Sequence, residues 1–342
     1  MNKKLSDNQL EDWLSCASAL EAAVKTAIIG QDKAIRLITT ALFARGHVLL
    51  EGGVGVGKTT LLRAVAKSVG GAYSRIEGTI DLLPNDLVYY TYLDEEGKPR
   101  VDPGPLLQQG EELAVFFFNE INRARPQVHS LLLRVMAEHS ISAFNRDFHF
   151  PHLQVFADRN DLEKEETFEL PAAARDRFLM EVKIQAPTDS ELQKQLMTDP
   201  RFHQVDTLLE NVTTAVLPFD QLNDFGKNIQ QSIRTSDTLQ NYVLTLCQAT
   251  QKPQDFGVNI SDTDPARLVK AGVSPRGMSM LLRTARVAAW LAGRDMVVPE
   301  DIHSIFYPTL AHRVFLNPGY ELQREAFIPE LMKQILNQIA AP

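Results

Sequence analysis

Residues 52–60 form a glycine-rich stretch that ends in a lysine and two threonines. Their order, Gly52-Gly53-Val54-Gly55-Val56-Gly57-Lys58-Thr59-Thr60, satisfies the pattern G-x-x-x-x-G-K-[ST]. Glycines let a backbone curl until successive N–H groups point at one anion, and a helix that begins near Lys58 adds its positive dipole end. Lys58 is then placed against the β and γ phosphates of a nucleotide, and the Thr59 hydroxyl against Mg²⁺. The alternative is a glycine-rich turn with an ordinary surface lysine.

The segments on either side of this loop predict the elements that would hold it. Residues 47–50 are short and mostly apolar, as expected of a buried strand, and residues 61–66 have helical spacing. Strand, glycine loop and helix is the order that phosphate binding requires. This context favours phosphate binding over the plain turn.

Residues 113–118, Leu-Ala-Val-Phe-Phe-Phe, form an unbroken apolar run. Such a run is typical of a strand buried on both faces of a parallel sheet, and it delivers Asn119 and Glu120 to the strand's carboxyl end, where open α/β sheets bind ligands. Glu120 can polarise a water there for attack on a γ-phosphoryl group. Asn119 offers an oxygen lone pair but no charge, so a metal site at this point has one unit less negative charge than an aspartate would give.

Asn160 and two arginines are further candidates, each with an ordinary alternative. Asn160 follows the strand predicted over residues 153–157 and could hold an attacking water in line, although asparagine is common in any turn that ends a strand. Arg175 and Arg177 are expected to be solvated surface charges. The alternative for them is an arginine supplied to a neighbour's γ-phosphate, which requires a ring.

Arg276 lies near the start of a helix predicted over residues 277–292, with Ser274 as N-cap and Pro275 in the first turn. A positive side chain at a helix start is mildly opposed by the helix dipole, so its placement indicates contact with an anion. Ile29, Gly30 and Gln31 interrupt two predicted helices, over residues 7–25 and from about Asp32. They form either one wall of a nucleotide-base pocket or only a helix break.

The whole chain has 342 residues, 44% hydrophobic and 23% charged, as expected of a globular protein with about two domains. Its net charge of −8 argues against a mainly electrostatic nucleic-acid binder. Cys16 and Cys247, the two cysteines, show neither disulfide nor zinc spacing and are expected to be buried thiols in a reducing cytoplasm. No signal peptide and no membrane span are predicted.

The order of predicted elements divides the chain in two. Residues 1–186 alternate strands and helices, with insertions near residues 79–105 and 141–150, the second of which predicts a hairpin around Asn145-Arg146-Asp147. Residues 187–342 are predicted to be helical, with the last helix beginning at Pro329.

Four segments together resemble one family: residues 52–60, Asn119-Glu120-Ile121-Asn122-Arg123, Asp176-Arg177-Phe178 and Gly272-Val273-Ser274-Pro275-Arg276. They are similar to the MoxR group of AAA+ ATPases, and the resemblance runs from about Leu20 to Pro318. It implies an α/β fold: a P-loop NTPase core, with a parallel sheet in an αβα sandwich, followed by an all-α lid domain.

The resemblance also implies roles for particular residues. Lys58 and Thr59 would hold phosphates and Mg²⁺, Glu120 would be the catalytic base, Asn160 the polar sensor, Arg177 the arginine finger and Arg276 the second sensor. Asn119 stands where the family has a metal-ordering aspartate, and Ala157-Asp158-Arg159-Asn160-Asp161 departs from the family's Ala-Thr-Gln-Asn-Pro. The expected ATP-binding residues are Ile29, Gly30, Gln31, Gly53, Val54, Gly55, Val56, Gly57, Lys58, Thr59, Thr60 and Arg276.

The function implied is that of a homo-oligomeric ring, with six subunits expected, which hydrolyses ATP to remodel or mature a protein client. A partner with a von Willebrand factor A domain is expected with it. Two other classes stay open: a regulatory scaffold that binds ATP but hydrolyses it slowly because of Asn119, and a DNA-handling AAA+ protein, which the acidic charge disfavours.

Overall fold

The computed structural model describes residues 7–160, 168–261 and 263–342. The strands are β1 (Val48–Glu51), β2 (Ala72–Glu77), β3 (Tyr89–Leu93), β4 (Pro99–Pro103), β5 (Leu113–Asn119), β6 (Ser140–Ala143), β7 (Arg146–His149), β8 (Gln154–Arg159), β9 (Met180–Lys183), β10 (Val269–Ala271) and β11 (Phe315–Leu316). The helices are α1 (Asp7–Lys25), α2 (Asp32–Phe43), α3 (Lys58–Val69), α4 (Pro126–Glu138), α5 (Ala172–Arg175), α6 (Ser190–Thr198), α7 (Val205–Glu210), α8 (Leu222–Ser232), α9 (Asp237–Gln251), α10 (Pro265–Leu268), α11 (Pro275–Leu291), α12 (Pro299–Leu310), α13 (Pro318–Glu321) and α14 (Arg324–Gln338).

The central sheet has five strands in the order β2-β5-β8-β1-β9, and every neighbouring pair is parallel. Strand β5 is buried along its whole length, as its apolar run predicts. Phe117 packs into the cluster on one face of the sheet, while Phe116 and Phe118 pack into the cluster on the other. The prediction of a parallel sheet between two helical layers is confirmed.

Both insertions contain a hairpin. Strands β3 and β4 pair antiparallel inside residues 79–105, where a 3₁₀ turn at Pro84–Leu87 takes the place of a longer helix. In the second insertion β6 and β7 pair so that the turn is Phe144-Asn145, with φ of 52° and 57°. The predicted hairpin is confirmed, but its turn lies one residue earlier than Asn145-Arg146-Asp147, because Ala143 pairs with Arg146 across the ladder.

The sheet's last strand ends at Lys183, and α6 begins at Ser190 with Asp189 as its N-cap. The chain after α6 is helical in its described residues apart from the short antiparallel pair of β10 with β11. Its last helix begins at Arg324, so the start predicted at Pro329 is wrong. Pro329 lies inside α14, whose buried residues Ile328, Leu331, Met332 and Ile335 hold the helix against the lid core despite the missing N–H.

Across residues 7–160, 168–261 and 263–342, no helix combines the length and apolar character needed to cross a bilayer. Cys247 is buried as predicted, and burial raises the pKa of its thiol to about 12. Cys16 is only half-buried, because it lies at the edge of the cluster that α1 covers.

Candidate functional site

The glycine loop connects β1 to α3 at the carboxyl edge of the sheet. Gly55 and Gly57 have φ of 76° and 89°, a backbone region in which side chains are strained. Gly57 is the N-cap of α3 and provides no side-chain cap for the first-turn N–H groups, and the first residue of the helix is Lys58. An uncapped helix start behind a loop of this shape is a site for an anion.

Lys58 lies inside this loop. Its ammonium donates to the carbonyl oxygens of Gly52 at 2.6 Å and Gly53 at 2.9 Å, and its Nζ is 3.7 Å from a carboxylate oxygen of Asp158. The side chain is 10% exposed, so the charge faces the loop interior rather than solvent. Its neighbours Gly53, Val56, Thr59 and Thr60 are half-buried, and Val54 and Gly55 are exposed at the loop tip.

Glu120 follows β5 directly and has a left-handed backbone, with φ of 53°. That conformation is costly for a residue with a side chain and is typical of functional positions. Its carboxylate accepts a hydrogen bond from Arg123 at 3.0 Å and is 25% exposed. Its backbone N–H donates to Asp158 at 2.5 Å. Glu120, the predicted base, is therefore hydrogen-bonded through its backbone to Asp158, whose carboxylate also lies near the Lys58 ammonium.

Asp158, in β8, is the residue that joins these groups, and the sequence pattern assigned it no role. It is 1% exposed. Burial raises the pKa of its carboxyl above the usual value, while the Glu120 N–H and the Lys58 charge act in the opposite direction. The sequence did single out both positions, because Asn119 and Asp158 depart from the pattern of the family that the chain resembles. Only the pairing of β5 with β8 shows that the two residues are adjacent.

Asn119 is also buried and lies between two charged side chains. In the amide orientation that satisfies both of its polar atoms, the nitrogen donates to Asp158 at 3.2 Å and the oxygen accepts from Arg75 at 3.2 Å. Asn119 is thus a neutral link between Arg75 of β2 and Asp158 of β8.

Asn160 follows β8 and is buried. It lines a cavity of about 400 Å³, together with Asn122 and Arg159. Asp161, the last residue of this predicted strand-end turn, lies outside the described residues. Asn160 as the polar sensor stays a prediction, supported by its place at the end of the strand next to β5.

Arg159 forms a second charged group that sequence reasoning missed. Its guanidinium contacts Glu51 at 2.8 Å and Glu181 at 3.1 Å, so it ties β8 to β1 and β9. Burial raises the pKa of Glu181, and the charge of Arg159 opposes that shift. Arg159, Glu51 and Glu181 line the same cavity as residues of the C-terminal helices such as Tyr307 and Arg324.

Arg175 and Arg177 differ in their surroundings. The expectation that Arg175 is solvated is wrong: it is 7% exposed, and its guanidinium lies 5.7 Å from the centre of the Phe315 ring, because the lid covers it. Arg177 is half-buried, and its guanidinium has one long hydrogen bond, 3.5 Å, to the Ala173 carbonyl within the described residues. Arg177 is therefore the arginine of this turn that is held loosely enough to reach outward.

Arg276 lies beside that turn rather than beside the glycine loop. Its guanidinium donates to Asp176 at 2.9 Å, and the Ser274 hydroxyl, which caps α11 as predicted, donates to Asp176 at 3.0 Å. In the part of the chain that the structure describes, no hydrogen bond or ion pair links Arg276 or Arg177 to Lys58 or Glu120. The candidate residues thus form two separate groups.

The segment Ile29-Gly30-Gln31 lies against the end of the sheet. Gln31 is buried and donates to the Gln185 carbonyl at 2.5 Å, and Gly30 packs on Pro187. Gly30 and Gln31 line an open pocket of about 930 Å³ between the sheet edge and helices α11 and α12. Ile29 is half-buried. Base binding by these residues stays a prediction.

The sequence of this chain is similar to known families and proteins over most of its length. Residues 47–180 match the model of the ATPase family associated with various cellular activities (AAA), and residues 261–335 match the AAA lid domain. Protein MoxR of Methylorubrum extorquens is 55% identical over 336 residues, which cover 98% of each chain. The chain belongs to the MoxR family of AAA+ ATPases. Protein MoxR of Paracoccus denitrificans is 52% identical over 98% of this chain and 99% of that protein.

More distant relatives extend the comparison. Chaperone MoxR1 of Mycobacterium tuberculosis is 33% identical over 93% of this MoxR-family chain and 80% of its own length. The crystal structure of a protein from Cytophaga hutchinsonii superposes with a TM-score of 0.84 at 26% identity, and the match covers 98% of each chain. The similarity therefore spans both the MoxR-family core and its lid, and the resemblance inferred from four short segments is confirmed.

Proposed function

We propose that this MoxR-family protein binds ATP with Mg²⁺ at residues 52–60, hydrolyses it at the boundary between subunits of a ring, and uses the cycle to remodel a protein client. The observation that carries the proposal is the convergence of Lys58, at the start of α3, with Glu120 and Asp158, at the ends of neighbouring strands β5 and β8. Asp158 links the three residues through its 2.5 Å contact with the Glu120 N–H and its 3.7 Å contact with the Lys58 ammonium. Phosphoryl transfer needs a cation, a base and an anion for the metal, and Lys58, Glu120 and Asp158 would supply these three groups.

The residues present fit a nucleotide with its metal. The uncapped start of α3 and the Lys58 ammonium suit the phosphates, and the hydroxyl of Thr59, the next residue of the pattern, would be the side-chain oxygen for the metal. Within the described residues, no group of three or more His, Cys, Asp or Glu side chains could hold a metal by itself. Mg²⁺ keeps several of its waters and binds through phosphates and one or two carboxylates, so its site would not require a larger set of protein ligands. When bound, Mg²⁺ would neutralise charge on the phosphates.

Glu120 would act as the base. Its carboxylate would accept the proton of a water that attacks the γ-phosphoryl group, and Asn160 would hold that water by its amide. The Arg123 contact at 3.0 Å holds the Glu120 carboxylate in place. Release of Glu120 from Arg123 would raise its availability as a base.

Arg177 and Arg276 would complete the site of a neighbouring subunit, and this is why we propose a ring, with six subunits expected from the family. Both arginines lie around Asp176, and neither contacts the glycine loop of the same chain within the described residues. A guanidinium supplied from a second chain stabilises the charge that develops on the transferred phosphoryl group. Arg276, proposed as the second sensor, would contact the nucleotide from the same side.

The two hairpins are the proposed contacts with a client. They touch through the Tyr89 and Phe144 rings, 5.1 Å apart. Large apolar side chains are exposed on them: Tyr90, Tyr92, Leu93, Val101 and Phe144. Exposed apolar side chains on projecting loops are typical of protein-binding surfaces. The name of the relative Chaperone MoxR1 agrees with such a role. We also propose a partner with a von Willebrand factor A domain and a cytoplasmic location, as the family resemblance implies.

A regulatory scaffold is the second candidate, because Asn119 lacks the charge of the family's aspartate. Such a protein would bind ATP and assemble but release phosphate slowly. DNA handling is disfavoured by the net charge of −8, because duplex binding depends on cationic side chains.

Steady-state phosphate release by the purified protein separates these functions. The wild type is expected to turn over ATP with Mg²⁺, and Glu120→Gln is expected to abolish turnover while ADP still binds in calorimetry. Glu138→Gln, at an exposed position of α4, is the matched control and should retain turnover. ATP binding by the wild type without phosphate release would support the scaffold, and salt-sensitive DNA binding would support the third class.

A further inference from the structure

We propose that Asp158 supplies the carboxylate of the Mg²⁺ site, in place of an aspartate at position 119, and that Asn119 positions it. This inference rests on the proposed binding of Mg–ATP at residues 52–60. It assigns the negative charge of the metal site to β8 rather than to β5.

The strand register places the two residues side by side. Strands β5 and β8 are parallel neighbours, with Phe118 opposite Ala157, so Asn119 and Asp158 are the next residues along each strand. Neighbouring strands are about 4.8 Å apart. A carboxylate moved from position 119 to position 158 therefore stays at the same edge of the sheet, within reach of the same site.

The contacts of Asp158 point to the site and not to the protein core. One carboxylate oxygen accepts from the Glu120 N–H at 2.5 Å and from the Asn119 amide at 3.2 Å, and the other lies 3.7 Å from the Lys58 ammonium. The first oxygen is thus fixed by neutral donors. The second faces the loop that holds phosphates, and its distance from Lys58 is long for a hydrogen bond.

Charge supports the same assignment. Asn119 cannot add a negative charge to a metal site, whereas the buried Asp158 carries a carboxylate oxygen 3.7 Å from the Lys58 ammonium. Mg²⁺ prefers anionic oxygen, directly or through its waters. The two departures from the family pattern, asparagine at 119 and aspartate at 158, therefore compensate each other: the carboxylate is moved by one strand and the amide holds it.

A simpler role for Asp158 is to neutralise Lys58 in the absence of nucleotide. That role and the metal role predict different effects of Asp158→Asn. Loss of a neutralising partner would lower stability and alter ADP affinity equally with and without metal. Loss of a metal carboxylate would alter only the part of the affinity that Mg²⁺ contributes.

The test measures ADP binding by calorimetry in Mg²⁺ and in EDTA, so it does not depend on turnover. We expect Asp158→Asn to reduce the ratio of the two affinities by about 10–100-fold, the usual effect of removing a group that orders a metal's shell, with the EDTA affinity retained. Mn²⁺ in place of Mg²⁺ gives a second readout, because the paramagnetic resonance signal of free Mn²⁺ in the ADP mixture should rise in this variant.

The exchange variant Asn119→Asp with Asp158→Asn returns the carboxylate to β5 and should restore the ratio. Asp224→Asn, at an exposed position of α8, makes the same charge change elsewhere and should leave the ratio unaltered. Circular dichroism and ADP binding in EDTA verify that each variant is folded. An unaltered ratio in Asp158→Asn, or no recovery in the folded exchange variant, would overturn the inference. Absence of ADP binding by the wild type would instead overturn the proposed function.

Discussion

Asp176 accepts a hydrogen bond from Arg276 at 2.9 Å, so the turn that carries Arg177 is tied directly to the first turn of α11 in the lid. The other oxygen of Asp176 accepts from Arg313, which is 1% exposed. One carboxylate therefore holds a half-exposed arginine and a buried one. Asp176 is thus one of the contacts that join this turn to the helices of the lid, together with the hydrogen bonds of Arg313 to the carbonyls of Phe178 and Leu179.

Removal of Asp176 and removal of Arg276 should have unequal effects on stability. The Arg276 side chain is 52% exposed, so Arg276→Gln is expected to change the free energy of unfolding by less than about 1 kcal/mol. Asp176→Asn leaves buried Arg313 without its anionic partner and is expected to cost about 2–3 kcal/mol. Urea unfolding followed by circular dichroism measures both. Equal losses of unfolding free energy in the two variants would show that the contact of Asp176 with buried Arg313 does not stabilise the fold more than the exposed contact with Arg276 does.

Arg177→Ala tests the contribution of one subunit to its neighbour. The variant is expected to bind ADP as the wild type does, because Arg177 does not touch the glycine loop of its own chain in the described residues. Phosphate release should fall by about 10³-fold or more, the usual effect of losing such an arginine. Arg234→Ala, at an exposed position between α8 and α9, is the matched control.

Mixed assemblies sharpen this test. Arg177→Ala subunits still provide an intact Glu120, and Glu120→Gln subunits still provide an intact Arg177. Mixing the two inactive proteins should therefore restore part of the phosphate release, at boundaries where each provides what the other lacks. A mixture as inactive as its components, with co-assembly verified by light scattering, would contradict action across a subunit boundary.

Gly78→Ala tests the backbone that positions Glu120. A methyl group at Gly78 would lie 2.2 Å from the Glu120 carbonyl oxygen, so this backbone must shift. Because the N–H of Gly78 also donates to the Asn119 carbonyl at 2.7 Å, the shift displaces the whole end of β5. Phosphate release is expected to fall about 100-fold, since a displacement near 1 Å has that effect on catalysis.

Gly319→Ala is the control for this substitution, because a methyl group there meets no atom within 4 Å. It should retain the wild-type rate of phosphate release. If Gly78→Ala retains that rate as well, the left-handed backbone of Glu120 is not needed for its position.

The local sequence was sufficient to predict the glycine loop, strand β5 and the hairpin of β6 and β7, because each depends on neighbouring residues. The run at residues 113–118 identifies a doubly buried strand without knowledge of its partners. The helix break at Ile29-Gly30-Gln31 and the Ser274 cap are local in the same sense. Family resemblance then related these local features to an AAA+ core and lid.

Contacts across the fold were not predictable in this way. Asp158 meets Glu120 across 38 positions of sequence, and Arg276 meets Asp176 across 100. The first contact depends on the strand register, and the second depends on how α11 packs against the core. No short sequence pattern encodes either of them. The burial of Arg175 was missed for the same reason, since the lid residue Phe315 covers it. Pro329 was predicted to begin the last helix but lies inside α14. At this position tertiary packing overrides the local preference of proline for a helix start.

His47, just before β1, should make stability depend on pH. Its Nδ1 accepts the Val155 N–H at 2.9 Å, so the neutral ring carries its proton on Nε2 and donates it to the Met136 carbonyl at 3.1 Å. Burial, the main cause, lowers the pKa of His47 to about 3. Because the unfolded chain binds a proton near pH 6.5 and the folded protein does not, stability is full above that pH and is lost as the pH falls toward 3.

Between pH 7 and pH 5 this histidine is expected to remove about 2 kcal/mol from the free energy of unfolding, at about 1.4 kcal/mol for each pH unit below 6.5. Urea unfolding at pH 7, 6 and 5 measures the slope for the wild type and for His47→Gln, which should lose that share. His149→Gln, at an exposed position of β7, is the matched control. Parallel slopes for the wild type and His47→Gln would mean that the folded protein accommodates a charged ring beside Val155 and Met136, and that the two hydrogen bonds do not keep it neutral.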